Sequence, residues 1–408
     1  MFPLMDLAIL IGAGLIVVSA LTSLLSQRIG APLLLVFLFI GLLAGEDGVL
    51  GIEFDSGATA YFVGSLALAI ILFDSGFATP LKSYRIASGP ALTLATLGVI
   101  LTTAVVGLAA HLLLGVDWIE SMMLGAIVAS TDAAAVFFLL RVGGIHLRDR
   151  VKATLEIESG ANDPMAIFLT ATLVELAVAT DGFDISATAA SWAFLRDFTM
   201  RVGLGLALGL AGGFAIAWLL SRLRSMDAGL VPVVALMAAL IVFSGTGLLG
   251  GSGFLAAYVA GLVAGNSGVR AAFRVRRFLV GMTWIAQIGM FLTLGLLATP
   301  STFSEVVWPA VGLGAVLIFV ARPLAVWICL IPFGFSWREV AFIGWVGLRG
   351  AVSILLAILP SLGGVTAGAP FFNIVFMMVL GSLLIQGWTI ALAARWLKLL
   401  EPPPRPDD

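Results

Sequence analysis

Ile40–Gly45 reads IGLLAG, and 220 residues later Ala260–Gly265 reads AGLVAG. Ala78–Pro80 (ATP) recurs at the same offset as Ala298–Pro300. A shared offset at two places indicates an internal duplication of the chain. Small-residue helix packing that repeats by chance is the alternative explanation, and it stays open at this point.

The composition places both copies in lipid. Of the 408 residues, 61% are hydrophobic and 11% are charged, and the mean hydropathy is +1.15. A water-soluble globule would need more polar residues to cover its surface. The net charge of −2 and the lack of a basic cluster give no support to nucleic acid as a partner. The sequence therefore predicts an all-α membrane protein with lipid around it, and no motif indicates a cofactor.

Hydropathy and loop residues predict thirteen transmembrane helices, each near the length that a bilayer requires. Their predicted limits are 5–26, 31–45, 58–76, 89–115, 121–140, 152–178, 192–222, 229–249, 253–266, 278–298, 306–331, 338–360 and 371–396. The first of them lacks the basic start and cleavage site of a signal peptide. We therefore expect it to be retained as a membrane span.

The basic residues predict the orientation. Seventeen of the 21 Lys and Arg residues follow odd-numbered helices, and short basic loops stay in the cytoplasm. We therefore expect an external N-terminus and a cytoplasmic C-terminus. The duplicated stretches lie seven helices apart, so the second copy enters the membrane from the opposite side. This predicts inverted six-helix repeats at 1–190 and 228–398, a linker helix at 191–227 and a cytoplasmic tail at 399–408.

Charged residues inside apolar helices are costly and by default mark function. Three predicted helices carry them near mid-depth, at Asp132, Asp163 and Arg349. At 1.5 Å per residue, Asp163 lies roughly 16 Å from the basic end of its helix. We therefore expect the three side chains to lie at one depth in the membrane.

Spacing on helix 6 separates two polar stripes. Ser159 and Asp163 are four residues apart, and Glu156 extends their stripe toward the cytoplasm as a possible funnel. Glu158 and Asn162 form the neighbouring stripe. One stripe can coordinate an ion while the other braces the helix. A buried ion pair is the alternative role for Asp163, but Glu158 is the better partner for Arg349, because an aspartate paired to arginine could not release a proton easily.

Three features predict broken helices at this depth. Pro164 cannot donate its backbone hydrogen bond and is expected to loosen helix 6. Gly344, Gly347 and Gly350 are expected to let helix 12 unwind around Arg349. Asp132 fits the N-cap of a half-helix, and capping and ion ligation remain equally supported roles for it.

Three motifs occur in order, STDAAAV at Ser130–Val136, ESGANDP at Glu158–Pro164 and GLRGAV at Gly347–Val352. Their combination resembles the NhaP and CvrA branch of the cation/proton antiporters, which is also similar to the eukaryotic sodium/proton exchangers. The resemblance extends over all thirteen predicted helices. It implies an NhaA/NhaP-like fold with crossed broken helices. It also implies a homodimer, in which a mobile core formed by predicted helices 4–6 and 11–13 slides against a dimer domain.

The resemblance also implies roles for single residues. The family's ligands for a monovalent cation match Asp163, Ser159, Asp132 and the backbone of Thr131. Its bracing residues match Asn162, Glu158 and, as the counter-charge of Glu158, Arg349. The implied activity is exchange of K⁺ or Na⁺ for H⁺ across the bacterial inner membrane by alternating access. We expect electroneutral exchange, because Asn162 beside Asp163 leaves one titratable carboxylate at the centre.

Two departures from the family pattern stand out. Ala133 occupies a position where many relatives have proline, so helix 5 is expected to unwind differently. The alanine-rich motif resembles the potassium-preferring CvrA type, and this resemblance favours K⁺. Relatives of that type also carry a soluble C-terminal regulatory domain, whereas this sequence stops at Asp408. We therefore expect the sequence to be the membrane part of a longer protein.

Two other classes of protein are weaker alternatives. Phe73–Gly76 (FDSG) mimics an aspartic protease motif, but Asp74 lies near the cytoplasmic end of helix 3, far in depth from Asp163. A protease needs two facing aspartates, so we expect no enzyme. A cation channel would also carry buried acids, but it would conduct without a proton gradient.

Overall fold

A computed structural model describes residues 2–29, 32–180, 187–223, 226–365 and 370–400, and this part of the chain is helical. Helices α1 to α9 are Phe2–Ile29, Leu33–Ala44, Gly57–Ala78, Leu81–Thr93, Val99–Leu114, Trp118–Ile127, Ala133–Val142, Asp149–Thr180 and Ala187–Arg222. Helices α10 to α18 are Leu230–Leu248, Gly253–Gly265, Ala272–Leu296, Phe303–Val316, Arg322–Leu330, Trp337–Trp345, Ala351–Leu356, Leu359–Leu362 and Phe371–Trp396. The predicted all-α class is confirmed.

Each of the thirteen predicted segments coincides with one helix or with two or three helices in line. Eight helical runs within the described ranges are long and apolar enough to cross a membrane, and five shorter apolar helices accompany them. Two of the long runs contain a π-helical turn, at Leu94–Gly98 between α4 and α5 and at Leu317–Ala321 between α13 and α14. The chain is a multi-pass membrane protein, and the exact number of spans stays a prediction. Residues 401–408 of the predicted tail lie outside the described residues.

The repeated stretches lie at two close helix crossings. A Cβ atom on Gly41 would collide with the carbonyl oxygen of Leu292, so the glycine lets α2 lie directly against α12. A Cβ atom on Gly261 would collide with the carbonyl oxygen of Phe73 in the same way, where α11 crosses α3. Without side chains in the way, the two backbones approach closely and gain dispersion contacts. The two copies of the motif thus make the same kind of contact with the opposite half of the chain.

Two predicted spans are broken in the middle. The first unwinds at 128–132, between α6 and α7, and the second at 346–350, between α15 and α16. The unwound segments meet, since the backbone N–H of Asp132 donates to the carbonyl of Leu348 at 2.8 Å. The predicted break around Arg349 and the half-helix starting after Asp132 are therefore confirmed.

The predicted loosening at Pro164 is wrong. Helix α8 runs from Asp149 to Thr180 without interruption, with Pro164 inside it. One missing hydrogen bond is tolerated in a membrane helix whose neighbours hold it on several sides. Here α8 packs along both α4 and α6. An unbroken α8 thus lies beside the two breaks and presents its polar stripes to them.

Candidate ion-binding site

Ser159 of helix α8 forms hydrogen bonds with the chain at the first break, residues 128–132. Its hydroxyl donates to the carbonyl of Thr131 at 3.0 Å and accepts from the backbone N–H of Ala133 at 3.1 Å. Both backbone groups are freed by the break, and unpaired backbone groups in a membrane interior are costly. Ser159 therefore joins α8 to the two sides of Asp132.

Asp132 caps the half-helix that follows the break. Its carboxylate accepts from the backbone N–H of Ala135 at 3.1 Å, which is the expected N-cap contact. The backbone of Gly350 lies so close that a Cβ atom there would be 2.7 Å from the Cβ of Asp132. The second break thus confines the Asp132 side chain, and the cap leaves Oδ2 of Asp132 facing that segment.

Asp163 and Asn162 each hold a buried oxygen without a hydrogen-bond partner in the described part of the chain. These atoms are Oδ1 of Asp163 and Oδ1 of Asn162. The amide nitrogen of Asn162 donates to the hydroxyl of Thr131 at 2.6 Å, which fixes the direction of its side chain. Buried acceptors are normally paired, and a carboxylate oxygen can take either a proton or a cation, so the unpaired Oδ1 of Asp163 suits both.

A cavity of about 1070 Å³ reaches this site. Its walls include all four residues predicted to bind the ion, and also Glu156: they are Asp163, Ser159, Asp132, Thr131 and Glu156. The cavity extends to Lys82, Arg141 and Lys152, which belong to loops and helix ends predicted to be cytoplasmic. Glu156 lies along this path, 3.9 Å from the amine of Lys152. The cavity therefore places the Asp163 site and these basic residues on the walls of one space.

The three predicted bracing residues, Asn162, Glu158 and Arg349, are each 1% exposed and do not line the cavity. The predicted Glu158–Arg349 pair is wrong. Glu158 instead forms a bidentate ion pair with Arg322, with distances of 2.5 Å from Nη1 and 3.0 Å from Nη2. Arg322 comes from α14, and Gly347 makes room for it, since a Cβ at Gly347 would lie 2.7 Å from Nε of Arg322.

Sequence reasoning missed Arg322, although a signal was present. Arg322 lies inside an apolar predicted helix, as Arg349 does, and it breaks the pattern of basic loops. A charged residue at membrane depth needs a partner. Arg322 and Arg349 therefore each need hydrogen-bond acceptors of their own, and Glu158 can pair with either of them.

Arg349 braces the crossing through backbone carbonyls. Its Nη1 donates to the carbonyl of Ala129 at 2.9 Å and to that of Ser130 at 2.5 Å. These carbonyls follow the last turn of α6, where a helix presents its negative end. The guanidinium therefore compensates the carbonyls that the first break leaves free.

Comparison with known proteins identifies the family of the chain. The family model described as "Sodium/hydrogen exchanger, transmembrane" matches residues 15–396. The chain belongs to the sodium/hydrogen exchanger family. Exchangers are transporters, which matches the expectation that the chain is not an enzyme.

Two relatives and one solved structure show how far the likeness extends. The exchanger is 49% identical over 399 residues to "K(+)/H(+) antiporter NhaP2" of Shewanella baltica, a match that covers 97% of this chain and 68% of the relative. It is 46% identical over 397 residues to "K(+)/H(+) antiporter NhaP" of Alkalimonas amylolytica, again covering 97% and 68%. The fold matches that of the sodium proton antiporter MjNhaP1 from Methanocaldococcus jannaschii at pH 8 with a TM-score of 0.81, at 21% identity and covering 98% and 100% of the two chains.

The aspartate of the protease-like motif lies elsewhere. Asp74 accepts a hydrogen bond from the hydroxyl of Thr283 at 2.9 Å and lines an adjoining cavity of about 260 Å³. It does not line the cavity that leads to Asp163. Asp74 and Asp163 therefore do not form a pair of facing aspartates.

Proposed function

We propose that the chain exchanges one potassium ion for one proton at Asp163, with Na⁺ as a possible second substrate. The observation that carries this proposal is the buried, unpaired Oδ1 of Asp163, a residue in the wall of the cavity. The relatives at 49% and 46% identity are named K⁺/H⁺ antiporters, which favours potassium. The family description names sodium, so Na⁺ remains the second candidate.

The site can hold a cation with oxygen atoms from both α8 and the first break. Asp163 supplies the carboxylate, and Ser159, Asp132 and the Thr131 carbonyl supply further oxygens. The Thr131 carbonyl accepts one hydrogen bond, from Ser159, and a carbonyl oxygen has a second lone pair. Hard monovalent cations prefer such oxygen ligands, and the same carboxylate can take a proton instead.

Competition for one carboxylate produces exchange. A proton and a cation cannot both occupy the oxygens of Asp163, so each must leave before the other binds. The empty, charged site cannot cross the apolar barrier, because an uncompensated buried carboxylate is costly. The neighbouring position is Asn162, which carries no charge, so each crossing is expected to be electroneutral.

We further propose that the site alternates between two sides of the bacterial inner membrane, with the N-terminus outside and the C-terminus in the cytoplasm. The cavity on the basic side then corresponds to an inward-open state. In the proposed homodimer, helices of the mobile core (predicted helices 4–6 and 11–13) slide against a dimer domain embedded in lipid. Cysteine labelling in intact cells tests the orientation: Glu53→Cys should be modified from outside and Lys152→Cys should not.

Two matching contacts support the proposed inverted repeats. The backbone N–H of Leu81, after Pro80, donates to the side chain of Asn266 at 3.0 Å. The backbone N–H of Ser301, after Pro300, donates to the side chain of Asp47 at 2.7 Å. These residues correspond at an offset of about 220, and each copy therefore caps the corresponding turn of the other. The proposed units are 1–190 and 228–398, joined by a linker at 191–227 that contains most of α9.

Everted membrane vesicles test the function. Adding K⁺ to vesicles with an acid interior should collapse the pH gradient, and Na⁺ should do so less effectively. Asp163→Asn should abolish the response. Glu175→Gln is the matched control, because it also removes a carboxylate from α8. The side chain of Glu175 is 55% exposed. Substantial exchange by Asp163→Asn would show that another carboxylate, Asp132 or Glu156, carries the proton.

Two further measurements separate exchange from the alternatives. Apparent cation affinity should weaken as pH falls, and saturating cation should overcome the inhibition, because both ligands use one site. Clamping the membrane potential with an ionophore should leave the rate unchanged if exchange is electroneutral. A rate that follows the potential would contradict the one-for-one stoichiometry, and cation flux that is not coupled to proton movement would indicate a channel.

A further inference from the structure

The second unwound segment, residues 346–350, lies against two polar side chains of α18. These are Ser382 and Gln386, which are four residues apart and therefore on one face of the helix. Each is only 1% exposed. Polar side chains inside a membrane protein are costly to bury and usually have a structural or functional role. Neither Ser382 nor Gln386 lines the cavity at Asp163.

Ser382 and Gln386 hold the two ends of that segment. The amide nitrogen of Gln386 donates to the carbonyl of Trp345, the last residue of α15, at 2.7 Å. The hydroxyl of Ser382 accepts from the backbone N–H of Arg349 at 3.2 Å and donates to Oε1 of Gln386 at 2.6 Å. The chain of hydrogen bonds is complete, so its members hold each other in place.

The residues between the held ends reach the ion site. The carbonyl of Leu348 accepts from the backbone N–H of Asp132 at 2.8 Å. The guanidinium of Arg349 holds the carbonyl of Ser130. Ser130 and Asp132 flank Thr131, whose carbonyl is a proposed ligand. A shift of residues 346–350 would therefore move the first break and the ligands on it.

The arrangement on α18 corresponds to that on α8. Asn162, which holds the hydroxyl of Thr131 at the first break, lies 220 residues before Ser382. Helix α8 thus fastens the first break and α18 the second. The side chains of Ser382 and Gln386 on α18 are neutral, so their own charge does not change with pH.

We propose that Ser382 and Gln386 are positioning residues for ion binding, which hold residues 346–350 at the place where Leu348 and Arg349 order the ligands at the first break. They do not contact the ion. This inference rests on the proposed cation/proton exchange at Asp163.

Gln386→Met tests the proposal, because methionine has a similar size but leaves the Trp345 carbonyl and the Ser382 hydroxyl without their partner. Loss of a buried hydrogen bond that orders the site should raise the apparent KM for K⁺ about three- to ten-fold, with a smaller change in Vmax. The rise in thermal unfolding temperature on adding K⁺ should shrink, because a weaker ligand stabilises less. The matched control is Asn373→Leu, which removes a side-chain hydrogen bond from the same helix to the hydroxyl of Thr302, away from residues 346–350. It should leave both readouts at the wild-type value.

Two further variants keep the test decisive if Gln386→Met does not fold. Gln386→Leu also leaves the Trp345 carbonyl and the Ser382 hydroxyl without their partner, and Ser382→Ala removes the acceptor for Arg349. Both should raise the KM for K⁺. Folded variants with a lower unfolding temperature but wild-type KM and wild-type stabilisation by K⁺ would overturn the proposal and leave a purely structural role. Failure of the proposed function is distinct, since the wild-type protein would then show no exchange.

Discussion

Glu158 and Arg322 form a bidentate ion pair in the interior, with side chains that are 1% and 4% exposed. Removing one partner of a buried pair leaves an uncompensated charge, which costs about 3–5 kcal/mol. We therefore predict that Arg322→Ala lowers the free energy of unfolding by roughly that amount and abolishes transport. Thermal unfolding in detergent and vesicle transport measure the two effects.

The double substitution Glu158→Leu with Arg322→Leu provides the control, because it removes both charges together. It should recover most of the lost stability, since replacing a buried pair by apolar residues is often neutral. An Arg322→Ala protein of wild-type stability would contradict the assignment of this pair. Arg349→Ala should differ from Arg322→Ala in the contact that is lost. It removes the donor to the carbonyls of Ala129 and Ser130, and it leaves Glu158 paired with Arg322.

The sequence was sufficient to predict the helical segments and to select residues that the structure brings close to the two breaks. Each of the thirteen segments predicted from hydropathy coincides with helical structure. The rule that buried charges mark function selected Asp132, Asp163 and Arg349, which lie in or beside the two breaks. The partner of Glu158 could not be read in the same way. Two arginines at membrane depth look alike in a sequence, and the choice between them depends on how α14 packs across Gly347. The effect of Pro164 was also a matter of packing, because the neighbours of α8 decide whether a missing hydrogen bond breaks the helix.

Asp132→Asn separates the two roles that the sequence left open for Asp132. Asparagine caps a helix about as well as aspartate, so the contact with Ala135 should survive and the unfolding temperature should change little. If Asp132 is also an ion ligand, the loss of its charge should raise the apparent KM for K⁺ about ten-fold, equivalent to roughly 1.4 kcal/mol. Transport kinetics and thermal unfolding of the same preparation decide the question. Unchanged kinetics would restrict Asp132 to capping.

Gly350→Ala should disturb the site without introducing a charge. The added Cβ would lie 2.7 Å from the Cβ of Asp132, so the aspartate must move, and overpacking of this kind costs about 1–3 kcal/mol. We predict a clear loss of transport. Gly344→Ala is the control: its Cβ would lie 3.4 Å from Pro323, a contact near ordinary van der Waals distance. Equal transport by the two variants would show that the approach of Gly350 to Asp132 is not required.

Asp47 lies outside the membrane helices and accepts a hydrogen bond from Ser301, and the strength of this contact depends on pH. The backbone N–H of Ser301 donates to its carboxylate at 2.7 Å, and this hydrogen bond holds the pKa of Asp47 below its usual value of 3.8. A group with a lowered pKa in the folded state stabilises the protein above the unfolded-state pKa, and the contribution is lost as pH falls through the folded-state pKa. Asp47→Ala should therefore lower the unfolding temperature slightly at neutral pH, and the difference from wild type should shrink as the pH falls below 3.8.

Asn266→Ala is the matched comparison, because Asn266 caps the corresponding turn at Leu81 with a side chain that does not titrate. Its effect on the unfolding temperature should stay constant over the same pH range. Differential scanning fluorimetry from pH 3 to pH 8, with each variant compared with wild type at every pH, distinguishes the two. If the Asp47→Ala difference is as independent of pH as the Asn266→Ala difference, the charge of Asp47 adds nothing to the contact. If it disappears selectively in acid, the two corresponding turns differ in one respect: the Ser301 turn is held by a titratable cap and the Leu81 turn by a permanent one.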